Sequence, residues 1–101
     1  LLRGSADVVV ARAVGQTNIL LELSIPLLKK HGVFINYKGK DLSDVETAKT
    51  AEAALNAKKT EVFNFCLPFD AGERNIVVYE KIEDTPKIYP RKFGTIKKNP
   101  L

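Results

Sequence analysis

The 101-residue chain has no methionine and no tryptophan, one cysteine, one histidine, and no apolar run near the ~18 residues that a membrane span needs. Each scarcity excludes something. A single thiol, Cys66, rules out an internal disulfide framework and fits a reducing, cytoplasmic setting. Inside an apolar run it reads as a buried thiol. His31 stands alone, without the His or Cys spacing of a metal site, and no metal is expected. A glycine-rich phosphate loop and a serine elbow are both missing, so the motifs of the common nucleotide-binding and hydrolase folds are not here. The missing methionine, with a leucine at position 1, suggests part of a longer chain. No signal peptide is visible near the start.

What is present is an alternation of strand-like and helix-like stretches. Asp7–Ala13 is a continuous Val/Ala run, the pattern of a central strand covered on both faces. Thr17 or Asn18 can cap a helix with Ile19, Leu20, Leu23 and Leu27 on its apolar face, kinked or broken by Pro26. Lys29 and Lys30 would close it with His31 at its end, facing solvent. Gly32–Lys38 reads as a second strand. Ser43 and Glu46 have capping-box spacing, and the helix they open buries Val45, Ala48, Ala51 and Leu55.

Two apolar runs, Val62–Leu67 and Asn75–Ile82, flank a Pro-Phe-Asp-Ala-Gly-Glu-Arg link and predict an antiparallel hairpin. Residues 83–101, with Pro86, Pro90, Gly94 and Pro100, read as an extended tail, neither helix nor ordinary strand. Ile88, Tyr89, Phe93 and Ile96 could pin it to the body. The expected division is a domain over residues 1–82 and a tail over 83–101. Strands alternating with helices indicate an α/β fold, with parallel strands and a final antiparallel hairpin strand. Three such strands and two helices look like half of a doubly wound domain.

The net charge of +4 is uneven: residues 1–82 carry +1 and residues 83–101 carry +3. A polyanionic partner or a merely solvated basic end would both explain the tail. In open parallel sheets, ligands bind beyond the carboxyl ends of the strands. Arg12 follows the first strand, Lys38 closes the second, and the hairpin returns Arg74 to the same rim. Three cations converging there suit a phosphate-rich ligand. The alternative is that each is separately paired, Arg74 for instance with Glu73 or Asp70. Those two carboxylates are too few for a metal site or an acid/base pair.

The stretches ARAV, IPLLKKHG, YKG, LPFDAGERNIVVYEKI and TPKIYPRKFGT, in that order, give a specific resemblance over nearly the whole chain. The sequence resembles the C-terminal half of the bacterial small-subunit ribosomal RNA methyltransferase G family, also called glucose-inhibited division protein B. Its tail block, Asp84–Lys92, is similar to that of low-GC Gram-positive members. The resemblance implies a class I, Rossmann-like fold that uses S-adenosylmethionine to methylate a guanine N7 in 16S ribosomal RNA of the small subunit. It implies Arg12 and Arg74 as catalytic residues and Arg12 and Ala13 as cofactor contacts. RNA contacts would come from Lys38, Arg74, Lys87, Arg91 and Lys92. Because N7 already has a lone pair, no general base is implied, and positioning with electrostatics would be enough.

The family's glycine-rich loop and ribose-binding acid lie upstream and have no counterpart here. This piece alone is therefore expected to be inactive. Two other readings remain open. One is a non-catalytic RNA- or ribosome-binding module with a basic tail. The other is a fragment without independent function, associating with itself through an exposed sheet edge.

Overall fold

The structure, a computed structural model, describes residues 3–12, 16–38, 42–69 and 72–101. Four strands form one sheet: β1 (Ala6–Arg12), β2 (Leu28–Lys38), β3 (Ala57–Cys66) and β4 (Glu73–Lys81), in the order β1-β2-β4-β3. β1 and β2 are parallel, and β4 runs antiparallel to both of its neighbours. The hairpin strand therefore lies between β2 and β3. The expected mixed α/β sheet is present. β1, expected to be covered on both faces, is instead an edge strand here, with Val8 and Val10 half exposed.

Four short helices accompany the sheet: α1 (Thr17–Ser24), α2 (Ser43–Thr47), α3 (Lys49–Leu55) and α4 (Phe93–Lys98). Pro26, which lacks an N–H, stops α1, and the chain makes one 3₁₀ turn, Ile25–Leu27, before entering β2. Lys29, Lys30 and His31 thus belong to the start of β2 and not to a helix end. There they pair with Asp7, Glu83 and Glu80 respectively. Over this start β1 advances two residues, from Ala6 to Val8, while β2 advances five, from Leu28 to Val33. Gly32 lies in that bulge, where a Cβ would come 3.0 Å from the carbonyl oxygens of Asp7 and Lys29. Only glycine lets the two backbones approach so closely.

The buried side of α1 is Thr17, Leu21 and Ser24, continued by Ile25. Of the expected Ile19, Leu20, Leu23 and Leu27, Leu20 packs partly buried against the core, while Leu23 is exposed. Val45, Ala48, Ala51 and Leu55 are all buried, as the period predicts, although a break at Ala48 divides their helix into α2 and α3. The capping box is not what opens α2, whose cap position is Leu42. With Phe34, Val77 and Tyr79 these side chains form the core on one face of the sheet. The rings of Phe34 and Tyr79 stack there with centroids 6.0 Å apart.

The tail is not simply extended. Ile96 on α4 is buried, Thr85 donates to the Leu55 carbonyl (2.9 Å), and Arg3 donates to the carbonyls of Thr85, Pro86 and Tyr89. Of the four expected anchors, Tyr89 and Ile96 pack against the body, while Ile88 and Phe93 stay exposed. Cys66, expected to be buried, is exposed because it ends an edge strand beyond the reach of the helices.

Candidate nucleic-acid interface at the strand ends

All the helices that contribute to the core cover one face of the sheet. Side chains alternate along a strand, so every second residue faces the other way. The register sets Arg12 of β1 opposite Tyr37 of β2, Tyr37 opposite Ile76 of β4, and Ile76 opposite Phe63 of β3. Two residues along the same face, Arg74 lies opposite Phe65. Neither Arg12 nor Arg74 is hidden beneath a helix, and Tyr37, Phe63 and Phe65 are exposed.

At the end of this face is a cleft of about 680 Å³, lined by Arg12, Tyr37, Lys38, Phe65, Leu67, Arg74 and Asn75. The expected convergence of Arg12, Lys38 and Arg74 on one rim is what these strands build. The three charges are not equivalent, however. Lys38 is almost fully buried, with its Nζ 2.8 Å from a carboxylate oxygen of Asp44 and 3.4 Å from the Thr17 hydroxyl. Burial pushes the Asp44 carboxyl up, but hydrogen bonds from Lys38 and Thr17, with the Lys38 charge, more than reverse this and hold it below its ordinary value. The same carboxylate accepts the Thr17 backbone N–H at 3.0 Å, so it caps α1 from a different segment.

Arg12 and Arg74 form no ion pair among the described residues. Arg74 donates from Nη1 to the carbonyl of Glu73 at 2.7 Å, and no carboxylate among the described residues compensates its charge. The turn before it makes this possible. Gly72 has φ +102°, and a Cβ there would lie 3.1 Å from the same Nη1. Leu67 closes the loop by donating to the Gly72 carbonyl at 2.9 Å. Asp70, the other carboxylate considered for Arg74, and Ala13, the expected cofactor contact beside Arg12, lie outside the described residues.

The expected tail contacts divide. Lys87 and Lys92 are exposed. Arg91 is drawn inward: its backbone N–H and guanidinium donate to both carboxylate oxygens of the fully buried Glu22, at 2.8–3.3 Å. Burial raises the Glu22 pKa, yet these bonds and the Arg91 charge bring it below the usual carboxylate value. Arg91 is thus a structural cation, and its expected role in RNA contact conflicts with this pairing. Sequence reading also passed over Tyr37 and Phe65, although the aromatic residues in both strand runs were available as a signal. Among the described residues no group of three His, Cys, Asp or Glu side chains could hold a metal. No helix there is long and apolar enough to cross a membrane.

Comparison with known proteins bears on this geometry. The profile of the family described as GidB, rRNA small subunit methyltransferase G, matches residues 2–77. The chain is 48% identical over 100 residues to the ribosomal RNA small subunit methyltransferase G of Staphylococcus aureus strain JH9, covering 98% of this chain and 42% of that protein. It therefore spans less than half the length of the curated relatives it matches. Two solved structures are similar in fold. M. jannaschii TYW2 in complex with AdoMet has a TM-score of 0.53 at 21% identity, over 82% of this chain and 41% of that one. The T. thermophilus 16S rRNA N2 G1207 methyltransferase RsmC, in complex with AdoMet and guanosine, has a TM-score of 0.54 at 17% identity, over 83% and 22%.

Proposed function

Since the chain belongs to the rRNA small subunit methyltransferase G family, we propose that it supplies the RNA-facing rim of a methyltransferase that modifies a guanine N7 in 16S ribosomal RNA. The observation that carries this reading is the pair of guanidiniums, Arg12 and Arg74, that line one cleft at the strand ends and meet no carboxylate among the described residues. Like charges side by side are unfavourable unless an anion joins them, and RNA phosphate is the anion that such a family meets. Lys87 and Lys92 extend the basic surface. Lys38 positions the rim through Asp44 and α1, and Arg91 fastens the tail.

S-adenosylmethionine, when bound, supplies an electrophilic methyl group to the guanine lone pair. The cleft fits only an edge of that cofactor. Among its described lining residues there is no carboxylate for ribose hydroxyls, and Arg12 is the group suited to the cofactor's own carboxylate. By the family resemblance, Arg12 and its neighbour Ala13, which lies outside the described residues, are this chain's share of the cofactor site. For the transfer itself, Arg74 fixes the RNA backbone so that the guanine edge is presented, with no proton to be removed first.

The lack of a ribose-binding carboxylate among the described lining residues favours a second reading, in which this rim binds RNA without transferring a methyl group. Two copies could then pair through the free edge of β1, a state that sedimentation equilibrium distinguishes from a monomer.

The decisive experiment joins this chain to the remainder of the S. aureus relative, in place of its matching segment, and measures transfer from labelled AdoMet to small-subunit RNA. Arg74→Ala should lower methylation about tenfold or more, the size of a charge-assisted hydrogen bond, while AdoMet affinity stays near its original value. Equal loss of both, with the fold intact, would sink the assignment of Arg74 to RNA.

A further inference from the structure

We propose that Tyr37 and Phe65 are a base-stacking platform within the Arg12–Arg74 cleft, and that the cleft accepts an unpaired nucleotide in preference to a duplex. This rests on the RNA reading above and specifies the form of RNA. The argument begins with the row order. On the open face the sequence of side chains is Arg12 beside Tyr37, then β4, then Phe63, with Arg74 beside Phe65 in the next row. Each guanidinium thus has an aromatic ring as its lateral neighbour. Tyr37 and Phe65 stand on either side of β4, two strand spacings across and two residues along, or roughly 12 Å apart. A flat heterocycle entering between them can rest on either ring.

Each ring is partly packed and keeps a large exposed share on the open face. Tyr37 is 42% and Phe65 40% exposed, and among the described residues the stacked aromatic pair is Phe34 with Tyr79, on the opposite face. A surface that reads only phosphate needs cations and no rings. A purely apolar docking surface gains nothing from two guanidiniums, which must be desolvated. The interleaving of both matches the two chemistries of a single strand, charged backbone and accessible base faces. A duplex hides those faces in its own stack, so a base in a helix must be extruded before it can lie on Tyr37 or Phe65.

The test uses the full 101-residue chain and a short single-stranded RNA carrying 2-aminopurine, whose fluorescence is quenched by stacking. The same RNA with an abasic site at that position and its duplex form are compared. Quenching on binding is expected, with affinity for the abasic and duplex forms lower by about tenfold. Tyr37→Ala and Phe65→Ala should each weaken binding of the intact strand about five- to a hundredfold, and Tyr37→Phe should restore it. None of these should weaken the residual abasic binding. Arg74→Ala should weaken all three RNAs and flatten the salt dependence.

Equal binding of intact and abasic RNA by the unmodified chain overturns the platform, whatever the variants do. So do alanine variants that bind like the parent. If binding depends on Arg74 and not on the rings, the platform falls while the RNA reading stands. If no RNA form binds, both fall, and the open apolar face is left to a protein partner.

Discussion

On the helix-covered side of the sheet, Lys38 meets Asp44 and Arg91 meets Glu22, and Lys81 donates to the Leu28 carbonyl at 2.6 Å. On the open side, at the ends of the same strands, Arg12 and Arg74 meet no carboxylate among the described residues. Composition does not separate these groups, since arginine stands on both sides. Position relative to the helices does. A buried cation must be paired, because burial without a partner costs several kcal/mol, and each buried pair then ties two distant segments together. An exposed cation can remain unpaired and keep its charge for a ligand. One surface of this chain therefore uses positive charge to hold the fold, and the other keeps it available.

The sharpest way to break this comparison is to remove one cation from each side. Arg91→Ala leaves the carboxylate of Glu22 buried with only the backbone N–H of residue 91 beside it. The loss should clearly exceed that of an exposed cation, because only that one bond then faces the buried carboxylate. Arg74→Ala should change stability by no more than about 0.5 kcal/mol. Urea unfolding of both variants gives the ratio directly. Comparable destabilisation by the two would mean that Arg74 is as structural as Arg91, and the proposed division of labour would be wrong.

Acidity probes the same pairs with a smaller effect. Glu22 and Asp44 both have native pKa values below their ordinary ones. The stability they contribute is complete above the unfolded-state value near pH 4 and is lost as pH falls through the lower native values. Lys38→Met removes the charged partner that lowers the Asp44 pKa and leaves burial opposed only by the Thr17 hydrogen bonds. The stability difference between parent and variant should therefore be largest above about pH 4.5 and should close on further acidification. A difference that stays constant from pH 6 to pH 3 would show that the Lys38–Asp44 pair does not set it.

These pairs also mark where the sequence stops being legible. Periodicity exposed Val45, Ala48, Ala51 and Leu55, since a helix face repeats within a few residues. Pro26 announced the end of α1, and the two β-branched and aromatic runs announced the hairpin. Lys38, Arg12 and Arg74 were placed on one rim by a rule of topology. Arg91 and Glu22 are 69 residues apart, and no local pattern reports a pairing across that distance. Lys38 and Asp44 are only six apart, yet the loop between them hides their relation. In the tail, Pro86, Pro90 and Gly94 argued against a helix, but α4 needs only six residues and one buried anchor, Ile96. Cys66 and Val8 were misread for one reason: a strand's sequence shows its alternation, but not whether a helix covers it.

The smallest expected effect lies at the hairpin tip and has the opposite sign. Phe69 is fully exposed and has φ +60°, a left-handed conformation that disfavours a side chain with Cβ. Phe69→Asn loses no buried area and places a residue that tolerates this backbone, so it should stabilise the chain by about 1 kcal/mol. Thermal unfolding measures the gain. A stabilising change of this kind is expected on the open side and not on the helix-covered side, where each cation is tied to a fold contact. An aromatic ring held in water on an unfavourable backbone, two residues along the chain from Leu67 of the cleft lining, has no role in the fold that the contacts reveal. If Phe69→Asn raises the melting temperature and weakens single-stranded RNA binding together, the ring is there for the ligand. If it raises stability and leaves RNA binding untouched, the platform ends at Phe65.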